Sequence, residues 1–461
     1  MLAMGLMLSG PLLVAAPPVF KAGTNLVTVS KMVRNGVYDF AGYYDKYTTV
    51  GISDNINMAA PELVDWNNDG LMDLLVGEAD GRIALFLNQG TKGNPVFNGY
   101  QYLTLSNGQD IQSWLAGCKC NGGGPECAAP RVVDWNNDGK KDLLVGEWCE
   151  NNNQIGANLF VYFNVGTDAS PVFDNKMCCK LTSSSKIPTA MPCVADWNGD
   201  GIPDLISADN KRFTSGVSAN TNINVFLATK SDHRPANTYV PNTVQCELYL
   251  WNEYLPSDSF QTTAPTLTLT TGTLTGSRKS VVMTDWLGTG KKDLVIGLQD
   301  GTVWWSPNQG TATAPSFQSF SRLQAGGVPI VVGDPAKVGQ DPPYIANSGN
   351  AWNTLPVVNE ARIAVADLDG DGLMDLVVGD ASGHVTVFYQ YNPNPFAIDQ
   401  NVLVFPKAAK NITLTAKVDS SNTVTYAVLS NPTNGQLSGM APNLTYTPNH
   451  YCPVKNPGKH C

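Results

Sequence analysis

Charge is scarce in this chain, and helical periodicity is missing from it. Only 15% of the 461 residues are Asp, Glu, Lys or Arg. No stretch repeats its apolar residues at the three-to-four spacing of an amphipathic helix. Lys and Arg (29) are outnumbered by Asp and Glu (39), giving a formal charge of −10. That lack of positive charge excludes nucleic acid as a partner, because phosphate binding needs clustered basic side chains. There are four histidines, and His233, His384, His450 and His460 stand outside any metalloprotease spacing. A G-x-S-x-G elbow and a Walker loop are missing too, so acyl transfer and nucleotide chemistry lose their usual signatures. The chain therefore reads as a non-enzyme. One catalytic alternative stays open, a polysaccharide-degrading enzyme on a β scaffold, because paired carboxylates need only be close in space and leave no linear trace. A membrane span of about 20 apolar residues is also lacking. Met1 to Phe20 are uncharged but are interrupted by Gly5, Gly10 and Pro11, and no basic residues precede the apolar run.

What is abundant is Gly (43) and Pro (30), the residues that punctuate turns. Together with short apolar runs they predict an all-β chain. The chain also repeats itself, which decides the fold before any local feature does. Asn88-Gln-Gly-Thr-Lys-Gly-Asn-Pro95-Val-Phe97 recurs as Asn164-Val-Gly-Thr-Asp-Ala-Ser-Pro171-Val-Phe173 and as Asn308-Gln-Gly-Thr-Ala-Thr-Ala-Pro315-Ser-Phe317. Weaker copies of the proline anchor stand at Pro18-Val-Phe20, Pro235 and Pro395-Phe396. Six anchors enclose five repeats, and an acidic loop starts inside each, at Asp65, Asp134, Asp196, Asp285 and Asp367. Around the first loop, Pro61-Glu-Leu-Val-Asp65, Asp73-Leu-Leu-Val-Gly77 and Gly81-Arg-Ile-Ala-Leu-Phe-Leu87 read as strands, and the proline opens a further one. Four short antiparallel strands per repeat describe a propeller blade. The first anchor, Pro18 to Leu26, has no inner strands before it and is expected to join the last blade, which would remove exposed sheet edges.

The loops carry the chemistry. Loop one offers Asp65, Asn67, Asp69, Leu71 and Asp73 at positions 1, 3, 5, 7 and 9. Loop two offers Asp134, Asn136, Asp138, Lys140 and Asp142, and loop three Asp196, Asn198, Asp200, Ile202 and Asp204. Loop five offers Asp367, Asp369, Asp371, Leu373 and Asp375. Side-chain oxygens at 1, 3, 5 and 9, a backbone carbonyl at 7 and a turn-permitting Gly at 6 suit Ca²⁺, a hard ion that takes six to eight oxygens. An EF-hand would need Glu at position 12, where Val76, Val145, Ser207 and Val378 stand instead. About four calcium ions are expected, and they would cancel most of the formal charge. Loop four keeps Asp285 and Asp293 but has Leu287 and Thr289 at positions 3 and 5, so no metal is expected there. Trp286 survives in it, matching Trp66, Trp135 and Trp197. This separates the tryptophan from metal binding and points to packing between blades rather than to a sugar-stacking platform.

These loops and the N-x-G-T-x-x-x-P-x-F element resemble the FG-GAP/VCBS repeats of integrin-α-like β-propellers over roughly residues 18–405. The resemblance implies a calcium-bearing propeller of five recognisable repeats, with seven blades common among relatives. Similar propellers serve as adhesins, lectins, polysaccharide lyases and structural surface proteins, so it leaves function open. Residues 406–461 resemble bacterial cadherin-like or Ig-like modules. They stop short after Leu444-Thr-Tyr446-Thr-Pro448, so an incomplete β-sandwich with an open edge is expected. Asn411-Ile-Thr413 and Asn443-Leu-Thr445 are N-glycosylation sequons.

Ten cysteines, an even number, cluster at Cys118, Cys120, Cys127 and Cys149, at Cys178, Cys179, Cys193 and Cys246, and at Cys452 and Cys461. They read as disulfides of an oxidising compartment. A zinc site at Cys118, Cys120 and Cys127 is the rival, weakened by the lack of paired C-x-x-C knuckles and of a nearby His. Residues 1–17 are either a secretion signal, with Ala15-Ala16 near the cleavage point, or a retained apolar donor strand. The chain is thus expected to be secreted or held at a cell surface. Its expected partners are other copies of itself or a surface glycan or protein, in a fibre or as a lectin-like adhesin.

Overall fold

The computed structural model describes residues 17–28, 59–78, 81–111, 127–151, 154–180, 191–208, 222–228, 266–268, 274, 279–333, 359–391, 396–397, 409–414, 416–417, 428 and 431–449. Among them there is no helix. Two compact units emerge, Phe20–Gln390 and a second made of Met1–Val19 with Tyr391–Cys461.

The larger unit is built from five four-stranded antiparallel sheets. Blade 1 is Ala60–Val64, Asp73–Gly77, Ile83–Phe86 and Gln101–Tyr102. Blade 2 is Cys127–Val133, Asp142–Asn151, Gln154–Asn164 and Phe173–Lys180. Blade 3 is Pro192–Ala195, Asp204–Ala208, Asn222–Phe226 and Thr266–Thr268. Blade 4 is Ser280–Thr284, Asp293–Gly297, Val303–Ser306 and Ser321–Arg322. Blade 5 takes Arg362–Ala366, Asp375–Gly379 and His384–Phe388 from one part of the chain and Thr24–Thr28 from the other. In that last sheet Thr24 pairs with Val387 and Thr28 with His384, so the N-terminal strand completes the last blade as its sequence position suggests. Among the described residues there are five blades, not the seven common in the resembling family.

The second strand of blades 1, 4 and 5 is apolar after its opening Asp because it is covered on both faces. Leu74, Leu75 and Val76 are all buried, as are Leu294 to Ile296 and Leu376 to Val378. One face looks at the preceding blade and the other at the following one. Leu75, Ile83 and Leu85 pack on Leu143, Val145 and Phe160 of blade 2, while Leu74, Val76 and Phe86 pack on Val377, Val385 and Val387 of blade 5. Similar layers join blade 2 to blade 3 and blade 3 to blade 4.

The first strands touch in the cyclic order of blades 1, 2, 3, 4, 5 and back to 1. The Gly that ends the second strand allows this approach. A Cβ on Gly77 would lie 2.3 Å from the Ala128 carbonyl oxygen, one on Gly297 2.3 Å from that of Ala361, and one on Gly379 2.1 Å from that of Ala59. Beside each glycine, the next chain segment donates a backbone hydrogen bond: Ala128 to Glu78, Ala361 to Leu298 and Ala59 to Asp380. At the centre, the Arg131 guanidinium of blade 2 reaches the carbonyls of Pro61 (3.3 Å) and Ile363 (3.5 Å) and the Glu62 carboxylate (3.4 Å). It therefore ties blades 5, 1 and 2 together.

Cys193 corrects the disulfide reading. It is a buried free thiol, packed with Ile206, Val281 and Met283 in the layer between blades 3 and 4. Burial pushes its pKa up to about 11, partly offset by Arg131. A pairing of all ten cysteines is therefore excluded; Cys118, Cys120, Cys246, Cys452 and Cys461 lie outside the described residues, and of Cys127, Cys149, Cys178 and Cys179 only the backbone is described.

In the smaller unit, Phe396–Ala397 pairs with Ala416–Lys417. A three-stranded sheet runs Lys410–Thr413, Asn443–Pro448, Gly435–Met440 in spatial order. These two small sheets do not by themselves define an Ig-like sandwich. No helix among the described residues is long and apolar enough to cross a membrane.

Candidate metal centre

Each acidic loop lies between the first and second strands of its blade, where the chain must reverse within nine residues. The left-handed backbone at positions 4 and 6 makes this possible. Asn68 (φ 60°), Asn137 (57°), Gly199 (75°) and Gly370 (70°) hold position 4, and Gly70 (86°), Gly139, Gly201 and Gly372 hold position 6. Asn and Gly are the residues that tolerate that region at least cost.

The position 1 carboxylate organises the turn. Asp65 Oδ1 accepts the Asp69 N–H (3.0 Å) and Oδ2 that of Gly70 (2.9 Å). Asp134 does the same with Asp138 and Gly139, and Asp196 with Asp200 and Gly201. At position 3 the Asn amide stays within the loop. Asn67 Nδ2 donates to Asp69 Oδ2 (3.0 Å), Asn136 to Asp138 (3.3 Å) and Asn198 to Asp200 (2.9 Å). The position 7 residues, Leu71, Lys140, Ile202 and Leu373, donate their N–H groups to the position 5 carboxylates.

Loop five differs. With Asp369 in place of Asn, it brings ligand oxygens of Asp367, Asp369 and Asp375 within 4.8 Å of one another. Asp371 lies outside that group and accepts the Leu373 N–H at 2.7 Å. Asp367 Oδ2 accepts the Gly372 N–H (2.9 Å), but its Oδ1 is buried without a hydrogen-bond partner. Burial and the charges of Asp371 and Asp367 push the Asp369 pKa up, with Lys21 pulling the other way. An all-oxygen donor set, crowded carboxylates and an orphaned buried oxygen fit a hard divalent cation. In the other three loops the donors are of the same type, although their oxygens are already occupied by loop N–H groups.

Position 9 has a second task that the sequence pattern did not reveal. Asp73 is fully buried. It accepts the Trp66 N–H (2.9 Å) and also the Asn88 N–H (2.7 Å), fifteen residues away. Asn88 Oδ1 in turn accepts the N–H groups of Gly90 and Val96, folding the N-x-G-T turn. The link recurs from Asp142 to Asn164, Asp204 to Ala228, Asp293 to Asn308 and Asp375 to Gln390. The two sequence landmarks are therefore one structure joined by a carboxylate. Burial pushes Asp142, Asp204 and Asp293 up to about 6 and Asp375 up to about 7, against several N–H bonds that lower them.

The tryptophans pack between blades, as their survival in loop four suggests. Trp66 meets Phe173 of blade 2, Trp197 meets Phe317 of blade 4, and Trp286 meets Phe20, with ring centroids 6.1, 6.0 and 5.6 Å apart. The Trp286 indole also donates to the Met374 carbonyl (3.0 Å) in loop five and to Gln390 Oε1 (2.5 Å). Lysines at position 8 add further bridges. Lys141 donates to Asp168 Oδ2 (2.9 Å) and to Asn68 of loop one, and Lys292 to the Asp196 carbonyl (2.9 Å). The sequons meet as well. Thr445 Oγ1 donates to Asn411 Oδ1 (3.0 Å) and Thr413 Oγ1 to Asn443 Oδ1 (3.1 Å), across adjacent exposed strands.

Fold and loops together define an all-β propeller of five blades, each with an Asp-bounded turn after its first strand, Asx-rich in all but blade 4. The family model of the FG-GAP-like repeat matches residues 65–145 and 134–207, so the chain carries FG-GAP-like repeats over that stretch. Among curated proteins no sequence matches. Solved structures give distant likenesses. A GH43_1 enzyme from Xanthomonas citri complexed with xylose is 10% identical, covering 74% of this chain and 88% of its own, with a TM-score of 0.38. BBS1N in complex with ARL6DN is 10% identical over 74% of this chain and 94% of its own (TM-score 0.28). A putative oxidoreductase (glucose dehydrogenase) from Thermus thermophilus is 10% identical over 72% of this chain and 98% of its own (TM-score 0.31). The sheet topology, not these likenesses, defines the propeller.

Proposed function

We propose that this protein is a calcium-stabilised propeller working outside the cell or on its surface, as a binding and structural scaffold that joins copies of itself, and that it catalyses no reaction. FG-GAP-like repeats suggest a surface or binding protein at the coarse level. The observation that carries the calcium reading is the recurrence of one oxygen-donor set in four loops of the same register, with three carboxylates gathered in loop five. Such groups repel one another and a cation relieves them. Because calcium binds the folded loops and not the unfolded chain, it stabilises by mass action. Self-association by strand exchange is supported by the C-terminal sheet. Gly435–Met440 forms one of its edges and has no further strand partner among the described residues. A head-to-tail contact of that kind propagates into a filament.

Metal analysis and thermal melting of the purified protein test the calcium reading. About four calcium ions per chain and a lower melting temperature in excess chelator are expected. Absence of calcium with an unchanged melt would overturn it. Electron microscopy tests assembly: filaments are expected, and their persistence after deletion of residues 1–17 would remove that segment as the donor.

A glycan-binding reading has one specific observation in its favour. On blade 1 the Arg82 guanidinium lies 3.8 Å from the centre of the Tyr102 ring, which meets the ring of Tyr100, a residue 42% exposed, at 5.3 Å. An exposed aromatic flanked by charge suits a sugar ring, and a glycan array with Tyr100→Ala as control decides it.

A further inference from the structure

We infer that loop five is the tightest calcium site of the molecule, filled first and emptied last. This rests on the calcium reading above but goes beyond it by ranking the loops.

The ranking follows from how each loop treats its own oxygens. In loops one, two and three the position 1 carboxylate already accepts two or more N–H groups, one set on each oxygen. The position 3 amide also donates to the position 5 carboxylate. The position 1 oxygens of these loops are internally hydrogen-bonded, and a cation must displace or compete with those contacts. Even the degenerate loop four satisfies both oxygens of Asp285, from Thr289 (2.8 Å) and Gly290 (2.7 Å).

Loop five keeps backbone donors, Gly372 N–H to Asp367 Oδ2 and Asp371 N–H to Asp369 Oδ1, but it lacks the side-chain amide donor. Position 3 is a carboxylate rather than an amide, so there is one more negative charge and no Nδ2 to give. Asp367 Oδ1, whose counterparts in all four other loops accept an N–H, is left buried with no partner. Affinity for calcium rises with ligand charge, and loop five carries one carboxylate more than each of the other three. It is braced from two sides: the Trp286 indole of blade 4 holds the Met374 carbonyl, and Lys92 of blade 1 lies against Gly370. Blade 4, which has lost its own ligands, thus supplies a support for the loop that follows.

Loop five also belongs to the blade in which the two ends of the ring's chain meet, because Thr24–Thr28 completes that sheet. The ion held longest therefore lies in the blade built from distant parts of the chain.

Calorimetric titration of full-length, chelator-stripped protein with calcium chloride tests the ranking. A single tight site should fill before a weaker class. Asp369→Asn, which copies the amide of the other loops, should weaken that first site by about tenfold or more while leaving the weaker class in place. Melting the variant checks that it folds: without calcium it should melt at or above the wild-type temperature, since one of three crowded carboxylates is gone, and with calcium it should gain less. An unchanged first site in Asp369→Asn, or four equal sites in the wild type, overturns the ranking and leaves the calcium reading intact. No calcium heat at all overturns both.

Discussion

At the scale of single residues, the buried Asp at position 9 has a role separable from metal. Asp293 sits in the loop without ligands, yet its Oδ1 still accepts the Asn308 N–H at 2.9 Å. Asp293→Ala should therefore destabilise the protein by about 1–3 kcal/mol, the cost of leaving a buried donor unpaired. The loss should be the same with calcium and with chelator, measured by denaturant unfolding. These carboxylates also set a pH dependence. Burial raises Asp142 and Asp204 from 3.8 to about 6 and Asp375 to about 7. Between those limits the native state holds protons that the unfolded chain has released, so stability falls as pH rises through the window. Stripped protein should melt at a higher temperature at pH 5 than at pH 8. On the calcium proposal the ion would compete with those protons, so added calcium should raise the melting temperature most at pH 8. A stripped protein whose melting point climbs steadily from pH 5 to pH 8 would contradict the assignment.

At the scale of the element, the loop and its tryptophan are distinct devices that share a sequence motif. Loop four lost its ligands but kept Trp286 because the indole packs on Phe20 across the blade boundary. The pair Trp197 and Phe317 offers the cleanest measurement, with rings 6.0 Å apart in an edge-on arrangement. A double-mutant cycle to Ala should give a coupling of about 0.5–1.5 kcal/mol, the usual worth of such an aromatic pair. The acidic loops should behave the other way. On the calcium proposal, Asp69→Ala should lower the calcium count by one ion, whereas Asp285→Ala in loop four should leave it unchanged. Equal losses from the two variants would mean that loop four binds metal after all.

At the scale of the whole propeller unit, the arrangement depends on close approach between neighbours. Gly379 has no room for a methyl group, since its Cβ would lie 2.1 Å from the Ala59 carbonyl oxygen of the chain entering blade 1. Backbone cannot swing aside as a side chain can, so Gly379→Ala should destabilise by about 1–3 kcal/mol or more. Gly70→Ala is a useful contrast. It meets nothing within 4 Å and should act only through its left-handed backbone, by about 1–2 kcal/mol. Comparing the unfolding midpoints of the two variants separates packing between blades from local strain.

The repeat unit, its five copies, the donor types of the loops and the N-terminal strand of blade 5 were legible in the sequence. Each follows from local rules: alternation makes strands, Gly and Asn at positions 4 and 6 make the turn, and a strand without inner companions must borrow them. The degenerate state of loop four was legible for the same reason, since Leu287 and Thr289 cannot supply carboxylates. Only the tertiary structure decided which groups meet across distance. The sequence does not show that Asp73 reaches Asn88, that Trp286 braces loop five, or that Asp367 Oδ1 is left without a donor. Nor does an even cysteine count show that Cys193 is sealed as a free thiol between two blades. These outcomes depend on how five sheets pack about one centre, where contacts are set by the order of the blades and not by spacing along the chain.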